Sequence, residues 1–112
     1  MTISTHVLDT SLGRPAAAVA IHLLRQQGSN WIEVFRGETN DDGRVPALLP
    51  AAVPGAAGAY RLTFDIGAYF QRYGVDSFYS TIAVDFTVRD PGPHYHVPLL
   101  VSPFGYSTYR GS

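Results

Sequence analysis

Short runs of aromatic and β-branched residues recur along these 112 residues, each closed within about ten positions by glycine, proline, asparagine or aspartate. That punctuation leaves room for strands and almost none for helices. Residues 3–9 alternate, with His6 and Leu8 on one face and Thr5 and Val7 on the other, and halt at Ser11, Gly13 and Pro15. Residues 19–25 stop at Gln27-Gly28-Ser29-Asn30, and residues 31–37 return as the partner of a hairpin. Asn40-Asp41-Asp42-Gly43 reads as a turn, because Asn and Asp tolerate left-handed backbone and a glycine follows them; it delivers Arg44 to a short strand. Residues 60–66 set Tyr60, Leu62, Phe64 and Ile66 against Arg61, Thr63 and Asp65, and residues 79–88 put Ile82, Val84, Phe86 and Val88 on one side. After the break Asp90-Pro91-Gly92-Pro93, residues 94–101 and 106–112 read as the last two strands, joined at Ser102-Pro103-Phe104-Gly105. Between Gly67 and Gly74 the segment GAYFQRYG predicts two turns of helix. Pro46 to Gly58, made of alanine, proline and glycine, reads as an ordered loop packed on something apolar. The sum is about eight strands and one short helix, an all-β chain.

A chain of this length is one domain, residues 1–112, since compact domains most often run to about 100–150 residues. Only 15% of its residues are charged, below the roughly 25% of an average domain, so part of its surface is expected to be hidden in an oligomer. A net charge of −1 with no basic stripe argues against nucleic acid as a partner. All eight cations are arginine, which excludes Schiff-base lysine chemistry, and the absence of cysteine excludes disulfides, thiol nucleophiles and cysteine-bound metals. No window approaches the ~20 apolar residues of a membrane span, and the first residues lack a cationic stretch followed by an apolar run. The expectation is an unexported, cytoplasmic protein without a membrane partner.

Catalysis in such a chain falls to histidine, arginine, carboxylate or hydroxyl groups. His22 reads as a side chain at a sheet surface. His94 and His96 share a strand face, and imidazole is the side chain whose ordinary pKa lies near 6.5. Residue spacing leaves three readings of this pair open: half of a metal site with His6 as third ligand, another polar role, or surface residues only. The ending Ser-Thr-Tyr-Arg-Gly-Ser is either an edge strand or a tail packed into a site, and Arg44 and Arg110 each carry a fork suited to a planar, carbonyl-rich ligand. Asp9, Asp65 and Asp85 make no acid/base pair by spacing.

Several stretches together look familiar. Ser4-Thr5-His6-Val7-Leu8-Asp9-Thr10, Leu12-Gly13-Arg14-Pro15-Ala16, Thr39-Asn40-Asp41-Asp42-Gly43-Arg44, His94-Tyr95-His96-Val97-Pro98-Leu99-Leu100 and Tyr109-Arg110-Gly111-Ser112 resemble the 5-hydroxyisourate hydrolases, the transthyretin-related family of urate breakdown. The terminal tetrapeptide is the most specific element, since hormone-carrying transthyretins resemble the same scaffold but lack it and the histidines. The resemblance implies a transthyretin-like sandwich of two four-stranded sheets with one short helix. It further implies a homotetramer, a dimer of dimers whose sites lie at the dimer–dimer interface, lined by the first, seventh and eighth strands. Carried over by motif, the site residues are His6, Arg44, His96 and Ser112 as catalytic groups, with His6, Arg44, Tyr109, Arg110 and Gly111 holding substrate; His94 is placed at the start of its strand instead. The implied reaction opens the cyclic amide of 5-hydroxyisourate to 2-oxo-4-hydroxy-4-carboxy-5-ureidoimidazoline, with no cofactor and no metal. A ligand carrier on the same scaffold and a purely structural sandwich are the competing readings; neither requires His6, Arg44, His96 and the terminal quartet together.

Overall fold

The computed structural model describes residues 1–49 and 57–112. Among them, ten strand segments and one helix follow in order: β1 (Thr2–Asp9), β2 (Arg14–Pro15), β3 (Ala20–Gln27), β4 (Asn30–Glu38), β5 (Arg44–Leu49), β6 (Gly58–Asp65), α1 (Ile66–Arg72), β7 (Thr81–Val88), β8 (His94–His96), β9 (Leu99–Ser102) and β10 (Gly105–Thr108). They form two sheets. The second has the order β4-β3-β6-β7, antiparallel throughout. The first is built on β1.

Six segments of that first sheet occupy four ranks. On one side of β1, β8 and β9 run parallel to it with one constant offset, from Thr2↔His94 through Ser4↔His96 to Val7↔Leu99 and Asp9↔Val101. They are one strand interrupted at Val97-Pro98. Pro98 has no N–H for the ladder, and the Val97 amide instead donates to the Ser4 carbonyl at 3.0 Å. On the other side, β2 and β5 take turns as antiparallel partners of β1, and β10 pairs outward with β9. The expected sandwich of two four-rank sheets with one short helix is therefore what forms.

Alternation set the faces. Ile3, Val7, Leu99 and Val101 from the first sheet join Leu23, Leu62, Phe64 and Ile82 from the second in one buried cluster. Helix α1 contributes Ile66, Tyr69 and Phe70; Asp65 caps it by accepting from the Ala68 amide at 3.2 Å. The Tyr69 hydroxyl donates to the buried Asp9 carboxylate at 2.8 Å, and the Ser11 and Leu12 amides supply further donors to that carboxylate, so the charge at the end of β1 is fully hydrogen-bonded. Burial and the neighbouring carboxylate push the Tyr69 phenol up from its ordinary value of 10.0. His22 stands at the surface of the second sheet, 3.8 Å from Glu33, as its spacing implied.

Two local expectations change. Residues 46–49, expected as loop, continue β5; the ladder to β1 is irregular between Ile3 and Thr5, where Pro46 has no amide hydrogen to give. The centre of that expected loop, residues 50–56, lies outside the described residues. The last strand ends at Thr108 instead of running on to Ser112, and Gly111 then makes an isolated antiparallel bridge with His96 of β8. Among the described residues no helix is long and apolar enough to cross a membrane.

Candidate active site

Register decides which side chains meet. On β1 the period-two rule puts Thr2, Ser4 and His6 on the face turned away from the core. Parallel pairing sets His94 opposite Thr2 and His96 opposite Ser4, and antiparallel pairing sets Arg44 opposite His6. Three neighbouring strands thus bring four cationic or titratable groups, drawn from both ends and the middle of the chain, onto one patch.

Each element has a local reason to be there. The Asn40 side chain accepts from the Asp42 and Arg44 amides, both at 3.0 Å, closing the turn that starts β5. Gly43 sits at φ +73°, with the Val7 carbonyl so close that a Cβ would lie 2.4 Å from it. Only glycine lets this turn approach β1 and point Arg44 across at His6. The Asp42 carbonyl, in turn, accepts from His6 Nε2 at 2.8 Å. A carbonyl cannot donate, so Nε2 carries the hydrogen and Nδ1 is the nitrogen that His6 has for exchange.

Ser4, 7% exposed, is the hub of the other half. Its Oγ lies 2.9 Å from His94 Nε2 and 2.8 Å from His96 Nδ1, and Thr2 Oγ1 closes on His94 Nδ1. The two imidazoles stack with centroids 6.4 Å apart. With Nδ1 committed to Ser4, His96 keeps Nε2 for chemistry. Burial, and then Arg44 with the neighbouring imidazoles of His94 and His6, hold the His96 pKa below its ordinary 6.5, so its ring is neutral at neutral pH. Among the described residues no three His, Asp or Glu side chains converge as metal ligands; the nitrogens of His94 and His96 converge on a hydroxyl.

The terminal segment clamps His96 from the other edge. The Gly111 amide donates to the His96 carbonyl at 2.8 Å, and a Cβ on Gly111 would lie 2.5 Å from His96 Cδ2. Ser112 then reaches an open cleft of about 260 Å³ lined also by Ser4, Thr5, Arg44, Pro46, His94 and His96. His6 borders this group through its pairing with Arg44 without lining the cleft. Tyr109 and Arg110 lie outside this cleft: they line a second hollow of about 220 Å³ with Val84, Phe86, Val97 and His96, which borders both, and the Arg110 guanidinium lies 4.7 Å from the centre of the Tyr95 ring. Of the residues singled out by sequence, Arg44, His96 and Ser112 thus share the cleft, with His6 and Gly111 adjoining. Ser4 and His94 belong to it too. Ser4 shares the alternating face of His6, a signal already in the sequence, but its worth depends on a neighbour 92 residues away.

The HIUase/Transthyretin family model matches residues 3–111. The chain belongs to this family. Its relatives within the HIUase/Transthyretin family include 5-hydroxyisourate hydrolase 2 of Rhizobium meliloti, 46% identical over 98% of this chain and 95% of that one. The structure of the Klebsiella pneumoniae 5-hydroxyisourate hydrolase superposes with a TM-score of 0.87 at 40% identity, covering 100% of both chains. Sea bream transthyretin in complex with thyroxine superposes with a TM-score of 0.91, covering 99% of this chain and 95% of that one, at only 30% identity. The fold is thus common to a hydrolase and a thyroxine-bound transthyretin, while this sequence shares more identity with the hydrolases.

Proposed function

We propose that this chain hydrolyses 5-hydroxyisourate in the cleft between Ser4, Arg44, His96 and Ser112. Membership of the family and its hydrolase relatives give the activity. The observation that carries the site is the pairing in one cleft of an imidazole kept neutral, with Nε2 free, and a guanidinium.

Ring opening adds water to a ring carbonyl and breaks the adjacent C–N bond, giving 2-oxo-4-hydroxy-4-carboxy-5-ureidoimidazoline. Water must lose a proton as it attacks, the carbonyl oxygen becomes an oxyanion, and the leaving nitrogen must gain a proton. Neutral His96 takes the proton at Nε2. Arg44 holds the planar, carbonyl-rich ring and the developing negative charge through its fork of donors. His6, opposite Arg44, shares water activation and proton delivery, taking up a proton at Nδ1 before it can give one. Ser112 positions water or substrate, at a place fixed by the Gly111 amide. Tyr109 and Arg110 serve binding by anchoring this terminal segment, Arg110 through its stacking on Tyr95.

The working unit is a homotetramer, a dimer of dimers, with each open cleft walled by a facing subunit. Exposed Phe78 and Phe104, 74% and 73% accessible, support association, because side chains this apolar are costly to leave in water. A cytoplasmic setting rests on the sequence reading. The test generates 5-hydroxyisourate in place by oxidising urate and follows its absorbance. Decay well above the spontaneous rate is expected; decay at the spontaneous rate with folded protein present contradicts the proposal.

A further inference from the structure

The mechanism leaves two groups in the cleft without a task. Ser4 is buried and hydrogen-bonded to both imidazoles, and His94, exposed at the strand start, is joined to it on one side and to Thr2 on the other. We propose that Thr2, His94 and Ser4 form a hydrogen-bond chain that sets the tautomer of His96 and carries away the proton His96 takes up. His94 and Ser4 are then positioning residues for the hydrolytic step. The inference rests on the reading of this cleft as the site of hydrolysis.

Donor and acceptor counting gives the chain two directions and no others. A serine hydroxyl has one hydrogen, and a neutral imidazole has one N–H and one lone pair. If His96 Nδ1–H donates to Ser4, the Ser4 hydrogen goes to His94 Nε2, His94 Nδ1–H goes to Thr2, and His96 Nε2 is left with a lone pair. In the reverse direction Thr2 donates to His94 Nδ1, His94 Nε2–H to Ser4, Ser4 to His96 Nδ1, and His96 Nε2 carries a hydrogen. The first arrangement makes His96 a base and the second makes it an acid. The rings share a face of β8 and their stacking holds both sets of contacts at once.

Shifting the chain conserves every atom. His96 Nε2 receives a proton from the attacking water and its Nδ1 proton passes to Ser4. The Ser4 proton passes to His94 Nε2, the His94 Nδ1 proton to Thr2, and the Thr2 hydroxyl proton leaves to solvent. One proton enters at the cleft and one leaves at the exposed end, while His96 stays neutral. Neutrality matters at this position. Arg44 on β5 faces His96 as a fixed cation, with the imidazoles of His6 on β1 and His94 on β8 beside it, so an imidazolium formed there would be repelled by the guanidinium. Removing the proton along the chain avoids that cation and leaves Nε2–H ready for the departing nitrogen.

The test compares Ser4→Ala, His94→Phe and His96→Asn in the full chain, each checked by circular dichroism and sedimentation. Ser4→Ala and His94→Phe are expected to lower kcat at least about tenfold with KM within about twofold of wild type. Imidazole ¹⁵N shifts read the tautomer: His96 is expected as Nδ1–H in the wild type and as Nε2–H, the form free histidine favours, in Ser4→Ala. Wild-type-like kcat in both folded variants, or an unchanged His96 tautomer in Ser4→Ala, would overturn the chain. A fully active His96→Asn overturns the cleft reading itself; an inactive His96→Asn beside active Ser4→Ala and His94→Phe overturns only the relay.

Discussion

His96 is poised by what surrounds it. Burial, then Arg44 and the neighbouring imidazoles, lower its pKa in the folded protein, and a lowered histidine pKa means the neutral ring is the favoured form. Its contribution to stability is present above the unfolded value near 6.5 and is lost as pH falls through the folded value. Activity follows the same sign: kcat/KM should be flat through neutrality and fall on an acid limb that lies below pH 6.5. Arg44 is the largest electrostatic influence on it after burial, so Arg44→Gln should move that limb upward besides slowing turnover, as a pH–rate profile of the residual activity would record. An acid limb unmoved by the substitution contradicts the electrostatic account. Gly111 gives a second test at this scale. A methyl group there would meet His96 Cδ2 at 2.5 Å, and the ring can yield only by leaving Ser4. Gly111→Ala is expected to lower kcat by about tenfold while shifting stability by less than about 0.5 kcal/mol, since the site lies at the surface end of the chain. Parallel turnover and thermal-melt measurements separate the two effects.

The turn before β5 does for Arg44 what the terminal segment does for His96. Gly43 combines a left-handed backbone with a carbonyl where its Cβ would be, whereas Gly28, at φ +64°, faces open space. Gly28→Ala should therefore cost about 1 kcal/mol, the strain of a left-handed alanine, and Gly43→Ala clearly more, with activity lost because Arg44 moves. Urea midpoints of the two variants check the difference. These turns, the hairpin between β3 and β4 and the presence of one short helix were legible because their causes are local, alternation and glycine-containing turns, whereas the helix was read at Gly67–Gly74 and starts at Ile66 because Asp65 caps it. What could not be read locally is partnership. The parallel pairing of β1 with β8 joins residues 92 apart and makes Ser4 a hub, although Ser4 alone is an ordinary serine in a strand. Residues 94–101 read as one strand, and the interruption at Val97-Pro98, where the Val97 amide bonds the Ser4 carbonyl, came only with the pairing. Arg110 and Arg44 offered the same fork to a planar ligand; the structure sends one onto Tyr95 and leaves the other in the cleft.

At the scale of the molecule, the described residues fill the interior between the sheets with their own side chains, so room for a purine-sized substrate lies on the outside, where the cleft is open. A second subunit facing that patch would exclude water from it, strengthening every charge interaction in the site. Low surface charge, with only 15% of residues charged, is consistent with much of the exterior being covered. Dilution or Phe104→Glu is expected to dissociate the assembly and abolish activity together, as sedimentation velocity alongside rate measurements would report. Fully active monomers contradict the shared-site account. The central claim, that the cleft around His96 and Arg44 opens the ring, is tested most directly by the decay of freshly generated 5-hydroxyisourate with wild type and His96→Asn at equal concentration. Fast decay with the wild type and a rate lower by about a hundredfold or more with His96→Asn is the predicted result; equal rates for two folded proteins would contradict it.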